Sequence, residues 1–140
     1  MPVTSTEKLR ELLKHRTVAV VGCSSTPGKA AHDVPAYLQE NGFDVVPVNP
    51  YADEILGERA YDSLDDVEET IDIVDVFRPS EEVPDIVDQV LDRHDSRGDV
   101  DALWLQLGIR HDEAAARAEA AGLDVVQDRC LKVTHQQLGD

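Results

Sequence analysis

Residues 18–29 read Val18-Ala19-Val20-Val21-Gly22-Cys23-Ser24-Ser25-Thr26-Pro27-Gly28-Lys29. Apolar residues run into a glycine without alternating with polar ones, the pattern of a strand buried on both faces. Small hydroxylated residues, Pro-Gly and a lysine follow, with little side-chain bulk. Such a turn lets backbone N–H groups approach a phosphate, and the N-terminus of a following helix adds a favourable dipole. The stretch predicts an α/β sheet with a nucleotide-type ligand at the end of its first strand.

On the N-terminal side, Thr4-Ser5-Thr6-Glu7 has capping-box spacing. Leu9, Leu12 and Leu13 then mark one face of a packing helix, so residues 1–15 read as a helix ending near His15. On the C-terminal side, Asp33 is placed to cap a helix with Pro35 in its first turn and Asn41-Gly42 at its end. Phe43 to Val48 is a second strand, in which Pro47 is awkward because it cannot donate to a ladder. Tyr51 to Leu64 is a connection without periodicity, and Asp65 to Glu69 one weak helical turn. Ile71 to Phe77 is a third strand. Val83, Ile86, Val87, Val90 and Leu91 follow at helical spacing, with Ser80 as cap and Arg93 to Gly98 as an exposed turn. Val100 to Leu107 is a fourth strand, Asp112 to Ala121 an alanine-rich helix, and Leu123 to Gln127 a fifth strand; residues 128–133 form a terminal segment lying back over the sheet.

Strands alternating with helices give a parallel sheet with right-handed crossovers. The expected fold is a three-layer αβα domain with a five-stranded parallel sheet in the doubly wound order 3-2-1-4-5. Ligands in such sheets bind beyond the carboxyl ends of the strands, here near a switch between strands 1 and 4. The odd polar and glycine residues gather at those ends: Gly22-Cys23-Ser24-Ser25, Asn49-Pro50, Phe77-Arg78-Pro79, Gln106-Leu107-Gly108 and Asp128-Arg129-Cys130.

The chain has 140 residues, read as a single domain over 1–140 that can bury roughly 68% of its unfolded surface. No apolar run spans a bilayer, and the first residues lack the apolar region of a signal peptide, which points to a cytoplasmic protein. The net charge of −16 repels nucleic acid and anionic membranes. The acid is spread along the chain and reads as a surface adapted to high salt, where self-repulsion is screened. An anionic ligand then needs local compensation, which makes the basic residues near the glycine loop informative. Cys23 and Cys130 are too far apart for a metal knuckle and read as small buried thiols. His15, His32, His94, His111 and His135 show no ligand spacing; they read as surface residues, and no metal is predicted.

The dinucleotide fingerprint G-x-G-x-x-G fails, because the next glycine after Gly22 is Gly28. The second strand ends in Asn49-Pro50, not an acid for a ribose hydroxyl, and Lys29 precedes Ala30, not the Ser or Thr of a P-loop. The blocks Val20-Val21-Gly22-Cys23-Ser24-Ser25-Thr26-Pro27, Val46-Pro47-Val48-Asn49-Pro50, Val74-Asp75-Val76-Phe77-Arg78, Leu103-Trp104-Leu105-Gln106-Leu107-Gly108 and Asp128-Arg129-Cys130-Leu131-Lys132 resemble the small stand-alone CoA-binding proteins. These are similar to the N-terminal domain of the succinyl-CoA synthetase α subunit, and the likeness covers about residues 10–138. Cys23 stands where the family usually has alanine.

The resemblance implies a Rossmann-like fold binding coenzyme A or an acyl-CoA; with no catalytic set recognisable in the residues, the expected role is binding without catalysis. By its motif positions, Gly22, Ser24, Ser25, Thr26 and Lys29 surround the phosphates, Asn49 and Pro50 border the adenosine part, and Phe77, Arg78, Leu105 and Gln106 line the groove toward the pantetheine. Each has a plainer reading: a turn glycine, a helix cap, a solvated lysine, an ion pair of Arg78 with a local acid, a satisfied buried amide at Gln106. Trp104 reads as core, and Asp128 with Arg129 as an internal ion pair. The related synthetase uses a phosphorylated histidine in a second domain that this sequence lacks, and no Ser-His-Asp or Cys-His set stands out. An NAD(P)-binding oxidoreductase-type domain and a ligand-free interaction protein on the same fold are the alternatives. A homo-oligomer or a partner protein stays open.

Overall fold

The computed structural model describes residues 5–139. Its main sheet is parallel and holds β1 (Thr17–Val21), β2 (Asp44–Val48), β5 (Ile73–Val76), β6 (Ala102–Leu105) and β7 (Asp124–Val126). A short hairpin, β3 (Glu54–Ile55) and β4 (Glu58–Arg59), stands apart from it. Helices α1 (Thr6–Leu12), α2 (Ala30–Glu40), α3 (Val83–Arg97), α4 (Asp112–Ala120) and α5 (Leu131–Leu138) cover the two faces. The fold is the expected Rossmann-like α/β sheet. Its order, β2-β1-β5-β6-β7, differs in detail from 3-2-1-4-5: the third long strand lies beside the first, not outside the second. The switch therefore falls between β1 and β5, not between the first and fourth strands.

Alternation sorts the central strands onto two cores. Val18, Val20, Ile73 and Trp104 face Leu9, Val34, Leu38 and Leu131 of α1, α2 and α5. Ala19, Val74, Val76, Leu103 and Leu105 face Val83, Val87 and Val90 of α3 and the alanines of α4. Three alanines, Ala114, Ala115 and Ala118, form the buried face of α4. Among the described residues no helix is long and apolar enough to cross a membrane.

Pro47 fits because β2 is an edge strand. Its carbonyl points away from β1 and accepts from the Tyr61 N–H at 3.0 Å, so the missing donor lies on the same outer side. Thr4 lies outside the described residues; the cap of α1 is Ser5, whose Oγ accepts from the Lys8 N–H.

The segment expected as an exposed turn at 93–98 is the last turn of α3, closed by Gly98 at φ 72. Arg93 within it is only 1% exposed. Its guanidinium holds both carboxylate oxygens of Asp99 and donates to the carbonyls of Leu64, Val67 and Glu69. The Asp99 carboxylate in turn accepts from the Ile71 N–H. This clamp fastens the long β2–β5 connection to α3. Beside it Val100 sits at φ 64, an unfavourable value for a β-branched residue. Replacing Arg93 by Ala leaves a buried carboxylate without its counter-ion. The expected cost is about 3–5 kcal/mol, read as a lower urea midpoint at unchanged m-value.

Candidate functional site

The chain leaves β1 toward α2 on one face of the sheet and leaves β5 toward α3 on the other, which opens a crevice at their carboxyl ends. Gly22 makes this divergence possible. It sits at φ +86, and a Cβ there would lie 2.8 Å from Arg78 Cδ and 3.4 Å from the Phe77 carbonyl carbon. A cleft of about 360 Å³ opens at this point. Gly22, Asn49, Pro50 and Arg78 line it from the strand ends, Glu82 and Ile86 from the start of α3, and Tyr51 stands 95% exposed at its edge.

Asn49 is a tie. Its Nδ2 donates to the Cys23 carbonyl at 2.9 Å, and its Oδ1 accepts from the Tyr51 N–H at 2.8 Å. Arg78 is paired: Nε and Nη2 donate to Glu82 Oε1 and Oε2 at 3.1 and 2.8 Å, with the two side chains 48% and 43% exposed. The ion pair weighed in the sequence is present.

The loop after Gly22 is locked from within. Pro35 has no N–H for the Ala31 carbonyl one turn back. That carbonyl instead accepts from the Ser24 N–H at 2.9 Å. The Thr26 N–H goes to Ser24 Oγ at 3.0 Å, and the Gly28 N–H to Asp33 Oδ1 at 3.1 Å. Helix α2 begins earlier than the expected cap at Asp33: the N-cap position is Lys29, and Asp33 reaches back to the loop from inside the helix. The Gly28 N–H, helped by His32, holds the Asp33 carboxyl below its usual pKa. Exposed Lys29 has no ion-pair partner among the described residues, and Ser25 and Thr26 are exposed beside it.

The remaining candidates lie deeper. Leu105 is fully buried, and Gln106 is 4% exposed with its Oε1 accepting from the Leu131 N–H at the start of α5. Phe77 is half-buried. Trp104 is core, its Nε1 donating to the Arg129 carbonyl. Asp128 does not pair with Arg129; its carboxylate accepts from the Gly108 N–H. The five histidines are half-buried, not surface residues. His111 caps α4, His94 meets the Asp99 and Val100 carbonyls, and His135 meets Tyr37. Near the opposite edge of the sheet, ligand atoms of His15, Asp72 and Asp101 lie within 4.8 Å of one another. Asp72 there already accepts from the Arg16 and Thr17 N–H groups, which gives it a structural role.

One buried group escaped the sequence reading. Asp75 is in the middle of β5, fully buried, and neither carboxyl oxygen has a hydrogen-bond partner. Burial pushes its pKa well above the usual carboxylate range and so favours the protonated, neutral form. Cys23, under the glycine loop, is equally buried; burial first, and then Asp75, push its thiol up to about 12. The available signal was an acid inside an otherwise continuous apolar strand.

Sheet order, crossover helices and a crevice at the switch, with Gly22 in its lining, define a Rossmann-like α/β domain. The profile of the CoA binding domain matches residues 16–136, and the chain belongs to that family. The uncharacterized protein YneT of Bacillus subtilis is 36% identical over 132 residues, 94% of each chain. ADP-forming acetate–CoA ligase II of Archaeoglobus fulgidus is 37% identical over 81 residues, which are 56% of this chain and 12% of the ligase. A solved structure from Thermus thermophilus matches at TM-score 0.89 and 42% identity, over 96% of this chain and 99% of that one. A dinucleotide-forming acetyl-coenzyme A synthetase of Ca. Korarchaeum cryptofilum matches at TM-score 0.72 and 25% identity, over 86% and 27%.

The folded chain holds a proton on Asp75 that the unfolded chain releases above about pH 4. Stability is therefore lost as pH rises from there toward the folded pKa, by up to about 1.4 kcal/mol per pH unit. Asp75→Asn is expected to remove this slope. Urea unfolding of both proteins from pH 4 to 8 should show a stability difference that grows with pH in favour of the variant.

Proposed function

We propose that the chain binds coenzyme A or an acyl-CoA, without catalysis, at the carboxyl edge of its sheet. The observation that carries this reading is the convergence of Gly22, Asn49, Pro50 and Arg78 on one cleft at the β1/β5 switch, in a chain of the CoA binding domain family. The named activities of the ligase relatives belong to proteins of which this chain covers only a small part. They support a CoA ligand and supply no catalytic group here.

The cleft is at the small end of the range that encloses a ligand, so it takes one end of CoA and leaves the rest along the strand ends. Asn49 and Pro50 border the adenosine part. Gly22 allows close backbone approach, and the Ser24, Ser25 and Thr26 hydroxyls with Lys29 face the phosphates. At the start of α2, the Ala30 and Ala31 N–H groups have no intrahelical acceptor by position. They add donors and the positive end of the helix dipole. Arg78 stands where the phosphates give way to the groove toward the pantetheine, which Phe77 continues, with Leu105 and Gln106 beneath as support. In a chain of net charge −16, Lys29 and Arg78 are the compensation a polyphosphate needs.

Calorimetric titration with CoA, acetyl-CoA, NAD and NADP, at high salt to screen self-repulsion, tests the reading. Saturable uptake of CoA or acetyl-CoA is expected, with none of the nicotinamide cofactors; the reverse pattern would overturn it. The double variant Lys29→Ala, Arg78→Ala should weaken CoA binding by about a hundredfold or more, since each charge-assisted bond is worth roughly 1.5–3 kcal/mol. Unchanged affinity would place the site elsewhere.

A further inference from the structure

The binding reading asks Arg78 to meet an oxyanion of the ligand, and in the structure Glu82 already provides one. Its carboxylate fills the guanidinium fork through Nε and Nη2 at 3.1 and 2.8 Å. This is the bidentate geometry in which arginine also holds phosphate. Both side chains line the same cleft.

Three features make the contact exchangeable. The pair is nearly half exposed, so water stabilises either partner when they part. Arg93 and Asp99 give the contrast, at 1% and 6% exposed and tied to further carbonyls. The Glu82 backbone is fixed by its N–H to the Pro79 carbonyl at 2.9 Å, so the side chain can swing away without moving α3. Finally, Glu82 is the N-cap residue of α3, and a phosphate taking its place keeps negative charge at that helix start.

We propose that Glu82 is a built-in competitor for Arg78, and that CoA binds by exchanging one of its phosphates for the Glu82 carboxylate. The inference rests on the CoA-binding reading above. The exchange favours a group with more negative charge than a carboxylate, so it selects phosphorylated ligands over carboxylates for this position.

The test is titration of CoA into the full chain at one salt concentration. Glu82→Gln is expected to tighten binding about two- to fivefold, the free energy of an exposed ion pair. Glu82→Asp, which keeps the charge but shortens the reach, should tighten it as well. Glu81→Gln removes the same charge from the neighbouring exposed position and should leave affinity unchanged. In an Arg78→Ala background, Glu82→Gln should give no gain. Equal effects at Glu81 and Glu82, or a gain that persists without Arg78, would overturn the exchange and leave CoA binding standing. Failure of wild type and Glu82→Gln alike to take up CoA would remove the binding reading and the exchange together.

Discussion

The close approach of Arg78 to Gly22 is the contact on which the rest of this edge depends. Two neighbouring parallel strands end here, and their chains turn to opposite faces of the sheet. The aliphatic stem of Arg78 lies where a Cβ on residue 22 would be, and the backbone there is left-handed. Only glycine satisfies both conditions without strain. With that contact made, the guanidinium is delivered to the mouth of the cleft and Cys23 turns inward beneath the loop. Asn49 then fastens the loop to the end of β2 through the Cys23 carbonyl. The sequence pattern at Gly22 is thus about the crossing of two chains as much as about ligand approach.

The same packing decides which donors a ligand can reach. A glycine-rich phosphate loop works by leaving successive N–H groups open. Here Ser24, Thr26 and Gly28 donate internally, to the Ala31 carbonyl, the Ser24 hydroxyl and the Asp33 carboxylate. Pro35 is the cause of the first of these, since it frees the Ala31 carbonyl. The groups the loop leaves open are therefore its side chains, Lys29 and the first N–H groups of α2, more than a ring of main-chain donors.

Much of the architecture was legible because it is carried by periodicity. The strands of the main sheet are largely apolar runs, broken within β5 by Asp75, and α3 and α2 show their buried faces directly. The parts that were not legible depend on single long-range contacts. The β3–β4 hairpin turns through Leu56 and Gly57, both with positive φ. Its first turn residue is leucine, where asparagine or aspartate would have announced the turn. Gln39 holds it by donating to the Leu56 carbonyl. Arg93 reads as a solvent residue at the end of a helix, because nothing local shows the carbonyls and the carboxylate that enclose it. Helix α5 is short and opens on Cys130 without a side-chain cap, its first N–H held by Gln106 from another strand. The strand order follows from which long connection crosses which face, and local patterns are silent on that. The cleft residues from the three strand ends were legible as positions, while the partner that fills the arginine fork was one of several nearby acids.

Strand β5 carries two features that hydrophobic patterning alone would not choose. Asp75 lies in its interior, with the neighbouring strands paired on both sides, where an unpartnered carboxyl costs most. Just past its end, Arg78 is matched to the half-exposed carboxylate of Glu82 at the mouth of the cleft. The two face opposite sides of the sheet: Asp75 sits over the α1, α2 and α5 side near Cys23, and Arg78 opens to the cleft before α3. A core built only for stability would place valine at 75, as it does at 74 and 76 in the same strand. Departures from local consistency concentrate at functional sites, because there the chain answers to a second requirement besides folding. Both departures border the β1/β5 crossing, the cleft from above and the Cys23 loop from below. The crossing is thus where the chain departs most from what folding alone would select.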